Sequence, residues 1–168
     1  MRKVIVLITL ALCLIPFSGC SGIEGTDPDA ISFFYVRSQF QYHGNENVIV
    51  AEERVLSDSR DDLLWLLTLY MMGPISDGLS CPFPNGVKVL DVHEETKMLD
   101  ITISDTSASL NESRFTLACS CLAMTMFECT DNAYVRIYSG ERSISFDRES
   151  IFLTDAAIPN DLITEETQ

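Results

Sequence analysis

Ten residues in the first half of the chain restrict its fold more than any other stretch. Leu63 to Met72 contains Leu63, Leu64, Trp65, Leu66, Leu67, Leu69, Tyr70, Met71 and Met72, broken only by Thr68, and then meets Gly73-Pro74. Ten residues is helix length but half of the ~20 needed to cross a bilayer. Gly supplies a helix-ending conformation and Pro cannot continue the helix, so the stop is clean. Ser57-Asp58-Ser59 offer N-cap candidates, with Asp61 and Asp62 in the first turn. A helix this apolar is expected to be largely buried, so the remaining segments must supply the surface that covers it.

Those segments alternate. Ile31-Ser32-Phe33-Phe34-Tyr35-Val36 is aromatic and β-branched, and Val48 to Leu56 is a second strand candidate beyond Gly44-Asn45, so the two are expected to pair. After the Pro- and Gly-containing loop from Ile75 to Asn85 the period becomes two. Leu99, Ile101 and Ile103 are apolar while Asp100 and Thr102 are polar, which gives a strand with one wet face; Val87 to His93 is expected to pair with it across Glu94-Glu95-Thr96-Lys97. Phe115, Ala118, Cys119, Leu122, Ala123 and Met126 fall at helical spacing, with Ser109 and Glu112 as a capping-box candidate. Ala133, Val135 and Ile137 then form one face of a strand, and Ser143 to Phe152 could add an edge strand. The expected order is β-β-α-β-β-α-β, an α+β domain in which two helices pack on one face of a small mixed sheet.

The N-terminus sets the compartment. Met1-Arg2-Lys3 is a positive n-region, and Val4 to Ile15 is an apolar run too short to span a bilayer. Phe17-Ser18-Gly19-Cys20 follows, two small residues before a cysteine, and resembles the lipobox of bacterial lipoproteins. That resemblance implies a diacylglycerol on the Cys20 thiol, cleavage just before it, and anchoring at the outer face of the cytoplasmic membrane. The expected organisation is a signal peptide over 1–19, a lipidated tether over 20–29, a domain over 30–155 and an acidic tail over 156–168.

Charge removes several functions. The net charge of −14, from 11 Lys+Arg against 25 Asp+Glu, falls to −16 if Arg2 and Lys3 leave with a signal peptide. Such a surface repels phosphate backbones and anionic headgroups, so nucleic acid is not an expected partner. Catalysis needs a nucleophile, a base and an orienting group within reach. The two histidines, His43 beside a Gly-Asn turn and His93 beside Glu94 and Glu95, read as solvated residues, and no motif joins either to Cys81. No metal-ligand spacing or calcium loop is recognisable, and Cys119 and Cys121 point roughly 200° apart on a helix. Neither a cofactor nor a metal is expected.

The stretch from Phe33 to Gly140 resembles a GerMN domain, the module of GerM-type sporulation and spore-germination lipoproteins. The matching residues are Phe33-Phe34-Tyr35, Glu52-Glu53-Arg54, Met71-Met72-Gly73-Pro74, Ser80-Cys81-Pro82-Phe83-Pro84-Asn85-Gly86 with the strand to Val92, Leu99 to Ser104, Leu122 to Phe127, and Val135 to Gly140. The resemblance implies a non-catalytic module, similar to the ring-building folds of secretion and sporulation channels. Its expected partners are envelope or sporulation membrane proteins, with a homo-oligomer as a further expectation. The alternative is an extracytoplasmic accessory lipoprotein that captures a small ligand or a cell-wall glycan.

With Cys13 lost and Cys20 lipidated, Cys81, Cys119, Cys121 and Cys129 are left. On one helix Cys129 lies ~12 Å from Cys121 and ~15 Å from Cys119, beyond the ~7 Å limit for a bridge. At most one disulfide, involving Cys81, is expected, with Cys119 packed as a small core residue.

Overall fold

A computed structural model describes residues 30–39, 47–56 and 62–153. The expected signal peptide, lipobox, His43, Ser57 to Asp61 and the acidic tail lie outside them. The domain is α+β, with ten elements among the described residues.

Strands β1 (Ala30–Arg37) and β2 (Ile49–Val55) pair antiparallel, Ala30 opposite Val55 and Val36 opposite Ile49. The two-residue strand β3 (Leu79–Ser80) joins the far edge of β1, giving a sheet of order β2-β1-β3. Alternation places Ile31, Phe33 and Tyr35 inward. Their partners across the hairpin include Arg54 opposite Ile31 and Glu52 opposite Phe33, so two charged residues share the core face.

Helix α1 (Leu63–Met71) starts on Asp62, whose Oδ1 accepts from the Trp65 N–H at 2.9 Å. Asp62 is therefore the N-cap and not a first-turn residue. The helix ends where Gly73 takes a φ of +93°, which glycine adopts without strain. Leu66, Leu67 and Tyr70 are fully buried. Tyr70 stacks on Tyr35 with centroids 5.0 Å apart and meets Phe83 edge-on at 6.5 Å. The expectation that α1 is largely buried holds for one side of it: Leu64 is 51%, Trp65 39% and Met72 78% exposed. Among the described residues, only one side of the helix has a neighbour to pack against.

The α+β class is as expected, but the single small sheet is not: the later strands form a second, mixed sheet of order β4-β5-β6-β7, because β3 joins β1 and no described strand of the first sheet pairs with the second. β4 (Val89–Glu95) and β5 (Met98–Ile103) form a hairpin through Thr96-Lys97, and β6 (Tyr134–Ser139) runs parallel to β5. Helix α2 (Glu112–Cys129) makes the crossover between these parallel strands. Leu99, Ile101 and Ile103 face inward with Val135 and Ile137, as the period of two predicts. β7 (Arg142–Asp147) is the edge strand anticipated after Ser143, but it stops at Asp147. There the carboxylate caps the Ser150 N–H and the short helix α3 (Arg148–Leu153) begins.

The N-cap of α2 is Asn111, which accepts from the Arg114 N–H at 2.9 Å. The Ser109 capping box is absent because the Ser109 hydroxyl donates instead to the Thr106 carbonyl, inside the preceding turn. This helix is covered on two sides. It runs along β1 on one and over β6 and β7 on the other, so Cys119 and Cys121 are both fully buried although they diverge around the axis. Thr125 belongs to the β1 side. Its hydroxyl donates to the Cys121 carbonyl and accepts from the Phe34 N–H, each at 2.9 Å, and so closes the open edge of β1 where β3 does not reach.

Gly140 turns β6 into β7 with a φ of +61°, and a Cβ there would sit 2.9 Å from the Asp105 carboxyl. Gly140→Ala is expected to cost about 1–2 kcal/mol of stability, read as a lower urea midpoint at unchanged m-value. An unchanged midpoint would show that Asp105 yields freely.

Candidate functional site

In a β-α-β unit the natural ligand position is the crevice at the carboxyl ends of the parallel strands, near the following helix N-terminus. Here that place lies between β5, β6 and the start of α2, and the chain's own side chains fill it. Thr106 and Ser139, both buried, share a hydroxyl–hydroxyl bond of 2.9 Å, and the Ser139 hydroxyl also lies 3.1 Å from the Ser104 carbonyl. Arg142 donates to the Leu110 carbonyl at 2.9 Å and to the Thr106 hydroxyl at 2.7 Å, with its guanidinium 4.2 Å from the Phe115 ring centroid. Asp105 folds back on Ser107, whose N–H and hydroxyl hold its carboxyl below the ordinary range. These bonds tie the 104–111 loop to β6 and β7.

A second polar cluster is equally internal. Glu52 and Arg54, 6% and 7% exposed, are joined by an Nε–Oε1 bond of 2.6 Å. The Glu52 carboxylate also accepts from the Ile75 N–H at 3.0 Å and the Ser76 N–H at 2.6 Å, while Arg54 donates to the Gly73 carbonyl at 2.8 Å. The guanidinium lies 4.7 Å from the Phe33 ring and 5.4 Å from that of Tyr35. Burial opposes the Glu52 charge, but these donors outweigh it and hold the pKa below its ordinary value. The pair therefore clamps the exit of α1 to β2. The Glu52-Glu53-Arg54 motif is explained by the alternation, because its outer members turn inward while Glu53 faces solvent.

His93 stands on the solvent face of β4, with its Nε2 3.1 Å from Glu95 Oε1 and both side chains well exposed. Cys81 is packed against the core, and burial pushes its thiol pKa up despite the Phe83 N–H. A raised thiol is a poor nucleophile. Cys119 is pushed up to about 12 by burial, and Cys121 is raised by burial further reinforced by Cys81. Cys81, Cys119, Cys121 and Cys129 are free thiols in this structure. Among the described residues no group of three His, Cys, Asp or Glu side chains is placed to hold a metal, and no helix is long and apolar enough to cross a membrane.

Two surfaces are left for contact with other molecules. The outer face of the second sheet carries His93, Asp100 and Arg136 in one row, with Tyr134 and Tyr138 flanking Arg136. Asp100 holds Arg136 with two bonds of 3.0 and 2.7 Å, and the guanidinium lies 5.2 Å from the Tyr138 ring. The other surface is the outward side of α1, whose exposed side chains are apolar except for Thr68. Periodicity alone could not reveal that side, because an apolar helix reads the same whether its outer residues meet a core or water.

No protein-family model matches the chain, and no curated protein matches it. Among solved structures, a candidate lipoprotein from Clostridium perfringens, determined at 2.5 Å, superposes with a TM-score of 0.45 at 16% identity, over 71% of this chain and 89% of that one.

Proposed function

We propose that this chain is a lipoprotein anchored through Cys20 at the outer face of the bacterial cytoplasmic membrane, and that its folded domain is a non-catalytic protein-binding or scaffolding module of GerM type, serving sporulation or germination. One observation favours binding over catalysis. The buried polar groups that could do chemistry, Glu52, Arg54, Thr106 and Ser139, are engaged in bonds that hold loops in place, whereas large apolar side chains stand at the surface. The lipobox residues Ser18-Gly19-Cys20 supply the anchor, and two acyl chains bind a membrane far more firmly than one.

The anchor is tested by Cys20→Ala. The variant should leave the membrane fraction almost completely, a change of tenfold or more, while its domain melts as before, because Cys20 lies ten residues ahead of the first strand. Unchanged recovery with membranes would overturn the reading. Glycan capture is the second reading, favoured by Tyr134 and Tyr138 on the open sheet face beside an Asp100–Arg136 pair. It requires a melting temperature that rises with added wall fragments, whereas a scaffold shows no such rise.

A further inference from the structure

We propose that the outer side of α1, together with Leu90 of β4, is the docking surface for a segment of a partner protein that presents an apolar centre flanked by Lys or Arg. This rests on the protein-binding reading above and adds the place and the chemistry of the contact.

The surface is built from two neighbouring elements. On α1, Leu64, Thr68 and Met72 recur every four residues and so form one stripe, with Trp65 beside it. No residue of the helix from Leu63 to Met71 is charged. α1 lies alongside β4, and there the ladder skips: Val89 pairs with Ile103 and Asp91 with Thr102, leaving Leu90 as the extra residue of a bulge. Bulges re-aim side chains, and Leu90 is 61% exposed. Single exposed apolar residues are ordinary, but several on adjacent elements mark interaction sites. Ile75, on the way out of α1, is exposed as well.

Charge selects the occupant. Among the described residues from Asp62 to Val87 there is no Lys, Arg or His, and the charged residues are Asp62 and Asp77. Beside Leu90, the exposed Asp91 and Lys88 offset one another. The rim is therefore acidic on a chain of net charge −14. A second copy would bring the same acids into opposition, and an anionic lipid surface would be repelled, whereas a Lys- or Arg-flanked apolar segment matches both the centre and the rim.

Trp65 is the sole tryptophan, so its emission reads this surface directly. The full mature chain carrying Cys20→Ala, which needs no detergent, is titrated with a synthetic amphipathic helix of Leu and Lys and with its Leu and Glu counterpart. The Leu/Lys peptide should give a saturable blue shift at about 0.15 M salt, and the Leu/Glu peptide should bind at least tenfold more weakly. Leu64→Ser combined with Leu90→Ser should weaken the Leu/Lys complex at least tenfold at unchanged far-UV dichroism, while Glu95→Gln on the open sheet face should leave it unaltered. Equal binding of both peptides, or full affinity in the double variant, would overturn the proposal. So would a dimer that disappears on Leu64→Ser, which identifies a second copy, or an equal shift with phosphatidylcholine vesicles alone, which identifies a lipid surface. Failure of the anchoring reading shows separately, in the fractionation of Cys20→Ala.

Discussion

Glu52→Gln is expected to cost the folded domain about 3 kcal/mol, because it leaves the Arg54 guanidinium buried without its counter-charge. The glutamine keeps the size of the side chain but presents one carbonyl oxygen where the carboxylate serves Arg54, Ile75 and Ser76. A loss of that size is a large part of the ~5–15 kcal/mol that holds an ordinary domain together. Glu53, one residue on and exposed, provides the control: Glu53→Gln should change stability by no more than about 0.5 kcal/mol. The same group makes stability pH-dependent. Its folded pKa lies below the ordinary 4.5, so its contribution is complete at neutral pH, declines as pH falls past that value, and is gone below the folded pKa. The gap in urea midpoint between wild type and Glu52→Gln should be full at pH 7 and narrow progressively as pH is lowered below 4.5. A variant as stable as wild type at pH 7 would show that the clamp contributes nothing.

The second large effect concerns the thiols. At pH 7 an ordinary cysteine with a pKa near 8.5 is about 3% thiolate, whereas one at about 12, as for Cys119, has roughly three thousandfold less of the reactive form. Cys121 is raised by burial as well, and the side chains of both are fully enclosed by β1, α1 and the second sheet. In the native protein Cys119 and Cys121 should therefore resist an aromatic disulfide reagent for hours, and guanidinium should expose them within the mixing time. Rapid native labelling of either would mean that α2 is not covered on both sides. Half-buried Cys81, also raised by burial, should react at an intermediate rate.

Much of this architecture follows from local pattern. Leu99, Ile101 and Ile103 announce a strand with one inward face because alternation is a property of the strand itself, and Gly73-Pro74 ends α1 wherever that helix packs. The hairpins β1–β2 and β4–β5 are legible for the same reason, since their partners are close in sequence. The caps were harder: Asp62, Ser109 and Asn111 are all chemically able to cap a helix, and only the backbone angles decide which one does.

What the sequence by itself determined is the α+β class and the order of the main strands and helices, both set by spacing along the chain. Tertiary structure decided the rest, because burial is a relation between distant segments. It turned Glu52 and Arg54 inward onto Phe33, placed Thr125 against the Phe34 N–H, and closed the β5–β6 crevice with Arg142. It also left α1, the most apolar of the described helices, covered on one side only among the described residues, since a helix of nine residues cannot choose how much of its circumference its neighbours will reach.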